Sequence, residues 1–202
     1  MTHQLIEYIH IPKCGGTFIK NLLETFSEST DSDLSCKAYR KKHGDCTALH
    51  IPYHNYYDFS KNFFAVIRDP YTRLVSNYYY DLENWKKFFG HENCLCFDTF
   101  VNYLYINPKM IYVHIHLYPQ SYFLKNSADS RELSENIHFF SFNDLPFNIY
   151  YFFKELNIPV KNYNLFQQMN QQENISYDIT PLTREKISFI YAEDFRLLKK
   201  FF

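Results

Sequence analysis

Excess charge of either sign is missing from this chain. Over 202 residues, 21 Lys and Arg stand against 22 Asp and Glu. That balance argues against broad nucleic-acid binding, which needs a basic surface, but leaves room for a local basic site that takes a small anionic ligand. No apolar run is long enough to cross a bilayer. Met1 is followed by Thr-His-Gln and then at once by a strand pattern, with no secretory leader. The expectation is a soluble, cytoplasmic protein made in a reducing compartment. The five cysteines (14, 36, 46, 94, 96) are odd in number and irregularly spaced, which argues against a disulfide framework. His91, Cys94 and Cys96 are the nearest approach to a metal-ligand set. No second cysteine pair completes a tetrahedral site, so no metal is expected. There is no internal repeat and no linker long enough to divide the chain, so a single domain over residues 1–202 is expected.

What is present is apolar and aromatic: 46% hydrophobic and 20% Phe, Trp and Tyr, a composition that folds around a substantial core. The chain is organised around residues 5–17, LIEYIHIPKCGGT. Leu5, Ile6, Ile9 and Ile11 read as a short buried strand that Pro12 stops. Gly15 and Gly16 allow a tight backbone path that a side chain would block. From Thr17 onward, Ile19, Leu22, Leu23 and Phe26 take helical spacing. Strand, glycine turn and helix N-terminus form an anion cradle, because first-turn N–H groups and the helix dipole face whatever lies over the turn. Lys13 adds a cation and Thr17 a hydroxyl. The order is not that of a Walker A loop, GxxxxGK[ST], since the lysine here precedes the glycines.

Further along, residues 27–47 are polar and turn-rich, and 48–59 form an aromatic, histidine-rich loop or short strand. Phe63–Ile67 is a second buried strand. RDPYTRLVSNYYY follows at once, with Asp69 as an N-cap, Pro70 in the first turn and one long helix running to about Phe89. A shorter helix is expected over 97–104, and 107–125 has no clear period. Ile137–Phe142 is a third strand, Ile149 to Leu156 a helix, and the C-terminal stretch one helix capped by Thr183. Strands alternating with helices imply an α/β fold, a parallel sheet with helical cover. Ligands of such sheets bind beyond the C-terminal strand edges. Both the glycine turn and the RDP segment fall there. The second corner offers Arg68 at the strand end and Ser76 two turns into the helix. Arg73 is expected to brace the corner against Asp69 or a neighbouring loop. Taken alone, Arg68 would also suit an ordinary carboxylate pair. Two anion corners in one sheet suit a ligand with two separate phosphates.

At these residues the chain resembles the sulfotransferases that use 3′-phosphoadenosine 5′-phosphosulfate (PAPS). IHIPKCGGTFI is similar to their 5′-phosphosulfate loop, and FAVIRDPYTRLVSNYYY to their 3′-phosphate motif. The likeness is greatest to the membrane-type carbohydrate enzymes, including the heparan 2-O and 6-O enzymes and their bacterial and viral relatives. ALHIPY, HLYPQSYFL, HFFSFNDL and ISFIYAEDFRLL continue it in family order. The resemblance implies a P-loop NTPase-like three-layer fold, with a central parallel sheet flanked by helices. It implies that Lys13, Cys14, Gly15, Gly16, Thr17 and Phe18 hold the 5′-phosphosulfate, and that Arg68 and Ser76 hold the 3′-phosphate. It also implies a catalytic pair, His50 as base and Lys13 at the leaving group, acting on an acceptor hydroxyl of a glycan with no metal. The product would be 3′-phosphoadenosine 5′-phosphate. Histidine titrates near neutrality and suits proton removal, and a lysine can neutralise charge where it develops in an in-line transfer. His54 is an alternative base, and His116 either lines the site or is structural. Phe18 and Cys14 stand where many relatives carry hydroxyl residues. Cys14 is oxidation-sensitive if the helix N-terminus stabilises its thiolate. The Golgi anchor of the animal relatives is not seen, so their location does not transfer. Two other readings stand beside this one: a non-catalytic nucleotide-binding module of the same fold, and a nucleotide or small-molecule kinase, which would depend on magnesium.

Overall fold

The structure, a computed structural model, describes residues 6–19, 50–56, 62–145, 147–156 and 178–202. Three strands, β1 (Ile6–Ile9), β2 (Asn62–Ile67) and β3 (Ile137–Ser141), form one parallel sheet in the order β1-β2-β3. Ile9 pairs with Ala65, and Ala65 with Phe139. β2 is central, and its residues 63–67 are all buried. A strand covered on both faces needs that continuous apolar run rather than an alternating one. All three chains leave the sheet at the same edge. Their exits, at His10, Arg68 and Phe142, therefore lie side by side, and the two corners expected to bind anions are neighbours.

A helix opens at Gly16 and is described over 16–19. The rest of the helix expected after Thr17 lies outside the described residues, as does the polar stretch 27–47. The other helices are α1 (Pro70–Tyr80), α2 (Leu82–Phe89), α3 (Phe97–Ile106), α4 (Phe147–Glu155), α5 (Pro181–Ile190) and α6 (Ala192–Leu198). One core lies against the sheet, where Phe63, Phe64, Phe123, Ile149 and Phe153 meet. A second packs Leu74, Tyr78, Trp85, Phe89, Phe97, Phe100, Ile187 and Tyr191 together. The protein is thus mixed α/β, a parallel sheet flanked by helices. Among the described residues no helix is long and apolar enough to cross a membrane.

Two expected helices differ. The helix predicted from Pro70 to Phe89 breaks at Asp81, where φ is −131° and ψ 29°. The Trp85 indole N–H donates to the Asn77 carbonyl at 3.1 Å, and its ring stacks on Phe89. The apolar spacing runs unbroken across the kink because both helices face the same core. The C-terminal helix likewise divides at Tyr191, whose hydroxyl donates to the Leu117 carbonyl at 2.9 Å. Its cap is Thr180, not Thr183: Pro181 occupies the first helical position, and the Thr180 hydroxyl accepts from the Thr183 N–H. Residues 107–125 are a run of short 3-10 turns, 108–112, 115–117 and 120–124, which explains why no 3.6-residue period is seen.

Candidate active site

The first corner follows from backbone conformation. Lys13 (φ +65°) and Gly15 (φ +81°) both lie in the left-handed region. Only glycine takes that conformation without cost; a lysine held there is strain of about 1 kcal/mol or more, the kind that gathers at ligand sites. The loop ends in the first helical turn, where the Ile19 N–H donates to the Gly15 carbonyl. Gly16 is required for a different reason. A Cβ there would collide with Nε2 of His10, so the imidazole fills the space that a side chain would take. Gly16→Ala is therefore expected to cost about 1–3 kcal/mol of stability by overpacking. Combined with His10→Ala, most of that loss should vanish, since the two groups compete for one volume. Urea unfolding of the four members of the cycle tests this, and additive losses would contradict it.

Lys13 is half-buried, with Nζ 3.5 Å from the centroid of the Tyr80 ring. Burial, then the nearby Arg68 charge, lowers its pKa to about 8. It remains mostly a cation at neutral pH, but a poorly solvated one. Cys14 turns the other way. It is buried, its Sγ–H donates to Gln120 Oε1 at 3.2 Å, and burial pushes the thiol up to about 11. The condition set for oxidation sensitivity, a stabilised thiolate, is not met: desolvation outweighs the nearby Arg73 and Arg68 charges. Phe18 is buried in the sheet core, so neither its side chain nor that of Cys14 faces outward over the loop. Any contact from those positions comes from the backbone. Thr17 is exposed.

At the second corner, Asp69 caps α1 by accepting from the N–H groups of Tyr71 and Thr72, with Pro70 following. The Arg68 guanidinium donates to the Lys13 carbonyl at 3.1 Å and to Thr72 Oγ1 at 3.2 Å, and it lies over the Phe142 ring. Among the described residues no carboxylate forms a salt bridge with it, so the ordinary carboxylate pair is not what holds it. Thr72, Ser76 and Tyr80 recur every four residues and share one face of α1. Thr72 touches Arg68 and Tyr80 touches Lys13, which sets half-buried Ser76 on the face toward both corners. Arg73, only 2% exposed, donates to the carbonyls of Pro12, His116 and Tyr118. It braces neighbouring loops rather than the Asp69 carboxylate.

Histidines gather beside the loop. His50 is 5% exposed, with Nδ1 2.9 Å from the His10 carbonyl. A carbonyl only accepts, so Nδ1 carries the proton and Nε2 keeps its lone pair. Burial lowers the His50 pKa to about 4, against the opposing pull of that hydrogen bond. Its ring lies 4.4 Å from that of His10 and 5.1 Å from that of His116. His116 belongs to the cluster. Burial first, then His50, lowers its pKa to about 3, and its buried Nδ1 has no hydrogen-bond partner among the described residues. His54 faces elsewhere, packing edge-on against Tyr122. His91, Cys94 and Cys96 do not converge: Cys94 is buried in the second core, Cys96 caps α3, and among the described residues no group of three such side chains could hold a metal.

Sequence reasoning missed His10 as a packing partner, Gln120 and Asp194. Gln120 lies within the HLYPQ segment, but no local spacing marks its contacts with residues more than fifty positions away.

A parallel α/β sheet with cations and helix-start amides clustered at adjoining strand exits is an arrangement suited to anionic groups. The sulfotransferase family model matches residues 2–201, and the chain belongs to that family, whose chemistry is sulfuryl transfer. Among curated proteins and solved structures, none matches it.

Proposed function

We propose that this sulfotransferase takes its sulfuryl group from PAPS and passes it to a hydroxyl of a carbohydrate acceptor, with His50 as general base. The observation that carries the reading is the contact between the corners: the Arg68 guanidinium is hydrogen-bonded to the Lys13 carbonyl. With the arginine tied to the main chain of the lysine residue, the cations of the two adjoining corners suit the two ends of one bisphosphorylated nucleotide. Neither forms a salt bridge with a carboxylate among the described residues, and the left-handed turn at Gly15 leads directly into helix-start amides. The cofactor, when bound, supplies an activated sulfuryl group on a phosphate leaving group.

Lys13 and the amides of Gly15, Gly16 and Thr17 receive the 5′ end, with Cys14 and Phe18 contributing backbone alone. Arg68 and Ser76 receive the 3′-phosphate. Nε2 of His50 takes the acceptor proton while the His10 carbonyl holds Nδ1–H, which fixes tautomer and ring orientation together. Lys13 Nζ, still protonated at neutral pH, answers the charge that gathers on the leaving oxygen.

A thermal-shift comparison tests the nucleotide. 3′-Phosphoadenosine 5′-phosphate at a hundred times its Kd is expected to stabilise the fold by about 2.7 kcal/mol, roughly 5–10 °C for a chain of this size. Adenosine 5′-phosphate at the same concentration should give a much smaller rise. Equal shifts would mean that the 3′-phosphate corner is misassigned.

A further inference from the structure

Gln120 is fully buried and polar, at the start of the 120–124 turn. Every polar atom of its side chain is engaged, and each engagement concerns one of the two corners. Oε1 accepts from the Arg68 main-chain N–H at 3.0 Å and from Cys14 Sγ–H at 3.2 Å. Nε2 donates to the Arg68 carbonyl at 2.7 Å. A single amide thus grips the loop after β1 and the main chain after β2. Its own backbone is anchored in turn: the N–H groups of Gln120 and Ser121 donate to the two carboxylate oxygens of Asp194, at 2.8 Å each. Asp194 is fully buried on α6. No side chain of similar size but different chemistry offers the same set. Glutamate has no donor for the Arg68 carbonyl, and methionine has neither a donor nor a strong acceptor.

We propose that Gln120 is a positioning residue that sets the distance between the 5′ and 3′ corners, with Asp194 as its anchor. The proposal rests on the nucleotide reading above. A ligand with two phosphates gains from both corners at once only if their separation is held, because the second contact is then intramolecular. Loosening the tie leaves each corner able to hold one phosphate but removes the gain from holding two. A residue that merely supported the fold would weaken all ligands alike.

Calorimetric titration of the full chain with 3′-phosphoadenosine 5′-phosphate, adenosine 5′-phosphate and adenosine 3′-phosphate separates these cases. In Gln120→Met the bisphosphate is expected to bind at least tenfold more weakly, with both monophosphates within about twofold of the unaltered protein. Cys14→Ala removes only the thiol arm of the grip and leaves Gln120 in place. It should show the same selective loss to a smaller degree, and it serves as the test if the methionine variant does not fold. Uniform weakening of all three ligands, or unchanged bisphosphate affinity, would overturn the proposal. If the unaltered protein itself binds the bisphosphate no better than the monophosphates, the nucleotide reading fails and this proposal falls with it.

Discussion

Replacing His50 by alanine is expected to lower kcat for sulfuryl transfer by about 10²- to 10⁴-fold, the usual worth of a positioned general base, with little change in nucleotide affinity. The expectation comes from the ring's fixed tautomer and its proximity to the loop, where only the His10 residue separates β1 from the apolar turn preceding Lys13. His50→Asn is the sharper variant. It keeps an N–H donor for the His10 carbonyl but has no basic nitrogen, so the fold is retained while the chemistry is lost. The pH profile follows from burial. A histidine whose pKa is held near 4 is neutral, and so competent as a base, at every pH above that value. The acid limb of kcat/KM for the free enzyme should therefore fall near pH 4 and not near 6.5. Stability moves in the same direction. Between about pH 6.5 and 4 the unfolded chain takes up a proton that the folded ring refuses, so the fold weakens as the pH drops through that window. Circular dichroism at each pH separates the two effects. Near-normal kcat in His50→Asn would place the base elsewhere.

Arg73→Ala is expected to destabilise the fold by about 3–5 kcal/mol, a large share of the margin on which a domain survives. The guanidinium is buried and serves three carbonyls on two segments, at Pro12, His116 and Tyr118. Removing it strands the Tyr118 carbonyl, leaves the His116 carbonyl only the Asn77 amide as donor, and leaves buried Asp194 without its nearby positive charge, whose effect is to lower a carboxyl pKa that burial raises. Lysine cannot replace it. One ammonium on a flexible stem does not span three acceptors, so Arg73→Lys should recover only part of the loss. The shift in urea midpoint at constant slope measures both variants. A loss below about 1 kcal/mol for alanine would mean that the brace contributes little.

The strands were legible because local composition determines them. The apolar runs 63–67 and 137–142 match β2 and β3 to within one residue at each end. The Asp69 cap and the tight turn before the helix were legible for the same reason, since Asp-Pro and Gly-Gly state their geometry within two residues; the left-handed conformation of Lys13 was not. The kinks at Asp81 and Tyr191 were not, since apolar spacing reports which core a residue faces, not whether the helix axis stays straight. The proposed roles of Lys13, Arg68 and His50 came from motif position, and their closeness in space needed the sheet order. Gln120 and Asp194 were invisible for a plainer reason: a buried polar side chain is justified by partners that the folded chain brings from far along the sequence.

The dependence of Gln120 on Asp194 has a temporal consequence. The carboxylate that holds the turn lies 74 positions later in the chain than the residue it anchors. On a ribosome the loop after β1 emerges first and the RDP corner next, yet the tie between them is not secured until the segment carrying Asp194 has followed. The spacing of the two corners is thus set only once α6 docks, by a contact of long sequence separation that forms late.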